Sequence, residues 1–156
     1  MIDVFKQMSQ GVYIIGVRDG FKRNAFTAAW VMQVSFVPPL IAFSINPRHY
    51  SYTLLQESGI CSINILGREQ LKVAEHFGSS GIIDKMAGFN WQQDKTGAPI
   101  LSDCLAYLDC TVNHYSEAGD HKLVICNVVA AKIIHSGHPL LYSQTEDMDG
   151  SSELYK

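Results

Sequence analysis

Ala106-Tyr107-Leu108-Asp109-Cys110-Thr111-Val112-Asn113 alternates apolar and polar side chains. A period of two places Leu108, Cys110 and Val112 on one face and Asp109, Thr111 and Asn113 on the other, which predicts a half-buried strand. Glu117-Ala118-Gly119-Asp120 follows as a turn signal, and His121 to His135 supplies the returning strand of a long antiparallel hairpin. Working outward, Gly11 to Val17, Asn24 to Phe36, Leu40 to Ile45 and Ile60 to Leu66 are rich in branched and aromatic residues and read as further strands. Asp19-Gly20 turns the first into the second, and Pro38-Pro39 makes a corner before the third. Short helices are expected at Val4 to Gln10, from an N-cap at Ser51 through Glu57 with Gly59 as the stop, and at Glu69 to Phe77 with Gly78 as the cap. Ser79 to Asp103 reads as irregular. Strands without regular βα alternation predict a mainly β fold, an antiparallel barrel with peripheral helices.

The 156 residues suit one domain, expected over 1–142, with 143–156 as a loose polar tail. Apolar residues at 47% provide for a sizeable core, and charged residues at 17% are too few for a disordered chain. Net charge is −3 and no run of Lys or Arg occurs, which argues against nucleic acid and against a polybasic membrane surface. Any anionic ligand must therefore be caught locally. Met1-Ile2-Asp3-Val4-Phe5-Lys6-Gln7 does not read as a signal peptide, and Leu123 to Ile134 falls short of the ~18 apolar residues of a membrane span, so a cytoplasmic location without membrane contact is expected. Cys61, Cys104, Cys110 and Cys126 form no Cys-x-x-Cys pair and are expected as buried free thiols. Of the six histidines only His135 and His138 lie three apart, around a Gly137-Pro139 that spoils a helix, so no metal site is expected.

No Gly-x-Gly-x-x-Gly, Walker loop, Gly-x-Ser-x-Gly elbow or His-Glu-x-x-His occurs, which disfavours Rossmann, P-loop, α/β-hydrolase and zincin chemistry. More informative is Asn24-Ala25-Phe26-Thr27-Ala28-Ala29-Trp30-Val31-Met32-Gln33-Val34-Ser35-Phe36-Val37-Pro38-Pro39. Its small residues let a flat ligand approach the backbone, while Thr27, Gln33 and Ser35 offer hydrogen bonds beside an aromatic wall. The same string also suits an ordinary strand packed on a helix.

This segment resembles the flavin-binding signature of the flavin reductase-like family, whose members form an FMN-binding split barrel. Asn46-Pro47-Arg48, Ser51-Tyr52-Thr53-Leu54-Leu55, Ser62-Ile63-Asn64-Ile65-Leu66 and Gly119-Asp120-His121 fall in the family's order. The Trp30 to Pro39 string and Ala106-Tyr107-Leu108-Asp109-Cys110 look especially like the reductase module fused to some flavodiiron proteins. The resemblance implies that the backbone at Thr27, Ala28, Ala29 and Trp30 lines the isoalloxazine ring, with Asn24, Thr27 and Ser35 as polar contacts. It further implies that Arg48 and Ser51 hold the FMN phosphate, chemistry to which a guanidinium fork and a hydroxyl are suited. Asn64, mid-strand among apolar residues, needs partners from a buried network or from the flavin. His121 resembles the family's Gly-Asp-His histidine beside the nicotinamide. The sequence departs from the family pattern at Ala25, commonly Gly, and at Ala29, commonly Ser, where alanine offers no side-chain hydrogen bond. The implied activity is NADH- or NADPH-dependent reduction of FMN by a homodimer, with a flavin-using oxygenase or other redox protein downstream. A flavoredoxin-like electron carrier, reduced by a protein instead of a nicotinamide, is the alternative.

Overall fold

The computed structural model describes residues 1–154. In chain order its elements are α1 (Ile2–Phe5), β1 (Tyr13–Asp19), β2 (Lys22–Ala28), β3 (Val31–Ser35), β4 (Leu40–Ile45), α2 (Tyr50–Ser58), β5 (Ile60–Ile65), α3 (Leu71–Gly78), β6 (Trp91–Gln92), β7 (Ile100–Leu101), β8 (Ala106–Ala118), β9 (His121–Ile133), a 3₁₀ turn at Tyr142–Gln144 and α4 (Ser151–Leu154). Seven strands form one antiparallel sheet in the order β2-β1-β5-β8-β9-β4-β3, and β6 pairs with β7 separately. The expected mainly β architecture is thus the observed one.

The two edges of the large sheet are consecutive in the chain. Ala28 ends one edge strand and Val31 begins the other, and three residue steps span no more than about 11 Å. A seven-stranded sheet can meet that limit only by curling until its edges face each other, which makes a barrel with one seam left unpaired. Ala29 and Trp30 cross the seam, and Trp30 C=O immediately accepts from Ser44 N on β4 at 3.1 Å. The single strand expected from Asn24 to Phe36 is therefore two strands on opposite edges.

Both faces of the sheet are covered. Ile15, Val17, Phe43, Ile63, Cys61, Cys110 and Cys126 fill the inside with Leu54 and Leu55 of α2, while Ile14, Ala25, Phe77, Ile100, Leu101 and Tyr107 pack a second core on the outside. Adjacent Ile14 and Ile15 thus serve opposite cores, which explains why β1 reads as a continuous apolar run. All four cysteines are buried free thiols, and burial pushes Cys104 up to about 11.

Four local expectations change. Asp109, expected on the solvent face of β8, is fully buried because the segment before β7 folds over it. Its carboxylate accepts from Lys95 N and Thr96 N, both at 2.8 Å, and from Thr96 Oγ1 at 2.5 Å. The N-cap of α2 is His49 instead of Ser51, its Nδ1 accepting from Ser51 N at 3.2 Å, and Gly78 is the last helical residue of α3, with Ser79 as the cap. The expected loose tail is packed over 142–149: Thr145 is buried, Met148 joins the outer core, and Tyr142 OH donates to Asp149 Oδ2. Gly59 does stop α2, in the left-handed region at φ 66°.

Candidate flavin site

A cleft of about 310 Å³ opens over the seam. Its floor is Phe26, Thr27 and Ala28 of β2 with the crossing residues Ala29 and Trp30, and its walls come from Ile45, Phe77, Gly78, His49 and His121. Ala28 and Ala29 leave the backbone approachable, as a flat ring requires. Thr27 Oγ1 donates to Ala74 C=O at 2.6 Å, so its hydroxyl ties β2 to α3. Trp30 is 49% exposed, and its indole packs against the His121 imidazole with centroids 5.1 Å apart. The seam and the β8–β9 turn, far apart in sequence, thus meet at one aromatic pair.

The two histidines face the cleft with opposite proton arrangements. His121 Nδ1 donates to Asp120 Oδ1 at 2.6 Å, and this bond holds the Asp120 carboxyl below the usual carboxylate range. Neutral His121 therefore carries an accepting Nε2. His49 is the reverse: Nδ1 accepts from Ser51 N, so the neutral ring carries its proton on Nε2. Burial, then the charge of Lys85, pushes His49 below the ordinary histidine value, which keeps that donor tautomer neutral near pH 7. No reading of the sequence singled out His49. Its signal was its place directly after Arg48 and before the helix that it caps.

His49 also lines a second, more open cavity of about 690 Å³, with Asn24, Arg48, Lys22, Arg23 and Lys85. Asn24 Nδ2 donates to the buried Ser51 Oγ at 3.0 Å, so Ser51 supports Asn24 from beneath. Arg48 is exposed on this shelf.

Thr27, Ala28, Ala29, Trp30 and His121 are thus together in the cleft, and Asn24 and Arg48 on the adjoining shelf. Ser35 is not brought in: it ends β3 opposite Leu40 and lines neither cavity. Asn64 also lies elsewhere, because Nδ2 donates to Ile14 C=O at 2.8 Å and to Ser62 Oγ at 2.9 Å, while Oδ1 accepts from Leu101 N at 3.0 Å. A buried network, not a ligand, satisfies it. Asn64→Ala is expected to cost ~2 to 3 kcal/mol, the penalty of orphaning buried donors and acceptors, in urea unfolding, with flavin affinity within about twofold. Tyr142, Met148 and Asp149 also line the cleft, unforeseen because their stretch is polar.

An open antiparallel barrel with one unpaired seam, a cleft over that seam and a cationic shelf beside it has the architecture of a split barrel. The model of the "Flavin reductase like domain" family matches residues 5–151, and the chain belongs to that family. It is 34% identical over 144 residues to the reductase subunit HsaB of a flavin-dependent monooxygenase from Rhodococcus jostii, covering 89% of this chain and 71% of that one. It is 30% identical to an FMN reductase (NADH), RutF 1, of Methylorubrum extorquens, covering 91% and 71%. Among solved structures, the homologue of nitrilotriacetate monooxygenase component B from Mycobacterium thermoresistibile superposes with a TM-score of 0.86 at 32% identity, over 92% of this chain and 80% of that one. Among the described residues no helix is long and apolar enough to cross a membrane.

Proposed function

We propose that the chain binds FMN in the seam cleft and reduces it with NADH or NADPH. The observation that carries this reading is the continuity of the two cavities through His49: a flat, small-walled cleft leads directly to a cationic shelf. That pairing matches a tricyclic ring joined to a phosphate, and the residues present fit the group. Bound flavin supplies a hydride acceptor that no side chain of this protein provides.

The backbone from Thr27 to Trp30 bears one face of the ring. Arg48 meets the phosphate, with charge-assisted bonds worth ~1.5 to 3 kcal/mol, while Asn24, steadied by Ser51, and the Nε2–H of His49 donate nearby. His121, held by Asp120 and braced by Trp30, positions the nicotinamide at the other end of the cleft. With both rings so positioned, the transfer would need no further catalytic group from the protein.

The chain acts as a homodimer. In support, the edge strand β3 and the corner after it expose Met32, Val34, Phe36 at 84% and Val37 at 93%, an apolar edge that asks for a partner. The reduced flavin passes to a flavin-using oxygenase, by analogy with the HsaB relative, and the protein works in the cytoplasm.

Anaerobic mixing of FMN-loaded protein with NADH or NADPH tests the reading. The flavin absorbance near 450 nm is expected to bleach within one turnover, at about the rate of steady-state NAD(P)H oxidation. Failure of both nucleotides would overturn nicotinamide chemistry and leave the electron-carrier alternative.

A further inference from the structure

We propose that a cavity at the His121 end of the seam cleft binds a small, neutral α,β-unsaturated ketone, and that the chain reduces its C=C bond with a hydride from the bound flavin and a proton from Tyr142. The proposal rests on the flavin reading above.

The cavity, of about 590 Å³, lies between α1 and α4. Ile2 and Phe5 of α1, Met8 beyond it and Leu154 of α4 give it apolar walls. Trp30, His121, Tyr142 and Asp149 line both this cavity and the ring cleft, so the two adjoin through residues other than the His49 that leads to the shelf. The two neighbours of the cleft differ in charge. Lys22, Arg23, Arg48 and Lys85 face the shelf, whereas among the described residues Lys6 is the only Lys or Arg in the lining of this cavity, against Asp120 and Asp149. An anion is disfavoured here, and a neutral, apolar molecule is suited.

Polar groups gather at the junction with the ring cleft. Tyr142 OH donates to Asp149 Oδ2. Ser151 Oγ is buried beside the Tyr142 phenol and makes no hydrogen bond of standard geometry. A buried hydroxyl without a full partner at a cavity wall calls for an acceptor on a ligand, and a carbonyl oxygen is a neutral one. Burial, then Asp149, pushes the Tyr142 phenol above its ordinary value, so it holds its proton at neutral pH. Hydride transfer from a nicotinamide to a flavin gives these groups no task.

An enone uses all of them. Its carbonyl oxygen accepts from Ser151 Oγ, and its apolar remainder lies against Phe5, Met8 and Trp30. The hydride leaves the reduced flavin with its electron pair and forms a C–H bond at the β-carbon, while the π pair of the C=C bond shifts toward the carbonyl to give an enolate. The α-carbon then takes the Tyr142 proton, which solvent restores through Asp149. The ketone gains two electrons and two hydrogens, the flavin returns to its oxidised form, and NADH or NADPH supplies the next pair. Nucleotide and ketone use the His121 end of the cleft in turn.

The probe is 4-phenylbut-3-en-2-one, which carries one flat ring and one conjugated carbonyl. FMN-loaded protein is photoreduced without oxygen or nucleotide and mixed with the probe. Flavin absorbance is expected to return, with 4-phenylbutan-2-one formed in equal amount. Tyr142→Phe is expected to slow this reoxidation by roughly 100-fold or more at saturating probe, the scale of a lost general acid, with the half-saturating concentration within about threefold. Phe5→Asp, at a half-exposed side chain outside the ring cleft, is expected to raise that concentration by about tenfold, while reduction of the flavin by NADH stays within about twofold. Calorimetry of flavin-free protein reads the cavity by itself: 4-phenylbutan-2-one is expected to bind, and about tenfold more weakly to Phe5→Asp. Unfolding midpoints of both variants serve as the check on folding. Reoxidation no faster than that of free reduced FMN, an unchanged rate in Tyr142→Phe, or ketone binding untouched by Phe5→Asp would overturn the proposal. Protein that takes up no FMN rejects the flavin reading, and this proposal with it, a result distinct from all of these.

Discussion

Stopped-flow reduction of the bound flavin is expected to slow by roughly 10-fold to 100-fold in His121→Ala, the scale of a reactant that loses its near-attack geometry. Flavin affinity should stay within about threefold, since floor, far wall and shelf are built from β2, α3 and the segment that leads into α2. The imidazole is fixed from two sides, by the Asp120 carboxylate at 2.6 Å and the Trp30 ring at 5.1 Å. Truncation therefore removes a rigid wall and not a mobile contact. Asp120→Asn should be milder, because this exposed carboxylate orients the ring and does not itself line the cleft. A His121→Ala protein that reacts at the wild-type rate would remove the residue from the mechanism.

The second large effect concerns stability. Gly16→Ala is expected to cost at least about 3 kcal/mol, the upper end of overpacking in a filled interior, and to lower Tm by roughly 6 to 12 °C for a chain of this size. A Cβ at this position would stand 2.1 Å from Pro99 C=O and 2.6 Å from Ser62 Oγ. Neither neighbour can yield: Ser62 Oγ donates to that same carbonyl at 2.6 Å and accepts from Asn64 at 2.9 Å. The glycine is required for close approach of the segment before β7 to the barrel, not for an unusual backbone angle. Thermal unfolding followed by circular dichroism measures it, and a shift below 3 °C would mean that the segment can move away.

What could be read from the residues followed local physics. β4 falls at the predicted Leu40 to Ile45, and the turns at Gly20 and Gly119 adopt the positive φ that the glycines foretell. Thr27 to Trp30 and His121, which the family resemblance had singled out, line one cleft. What escaped was decided by tertiary structure. Nothing in Ala28-Ala29-Trp30-Val31 breaks a strand, since the break is imposed by closure of the sheet. Asp109 looked like a solvent-facing residue because its cover, Lys95 and Thr96, lies in a stretch without regular pattern. Ser35 shared a motif with Thr27 in the sequence, but the seam puts the two on opposite edges of the sheet. His49 was hidden because a histidine N-cap has the same composition as a loop.

The unpaired seam also bears on how such a protein can change over generations. Ala29 and Trp30 touch the ligand cleft yet belong to no strand ladder, so their side chains can be exchanged without shifting the register of any of the seven strands. If the cleft holds the flavin as proposed, mutations there are expected to alter what it accepts at little cost in folding, whereas Gly16 and Asn64, a few residues away across the sheet, leave no such latitude. Selection can therefore retune ligand preference through two positions while the barrel that carries them stays fixed.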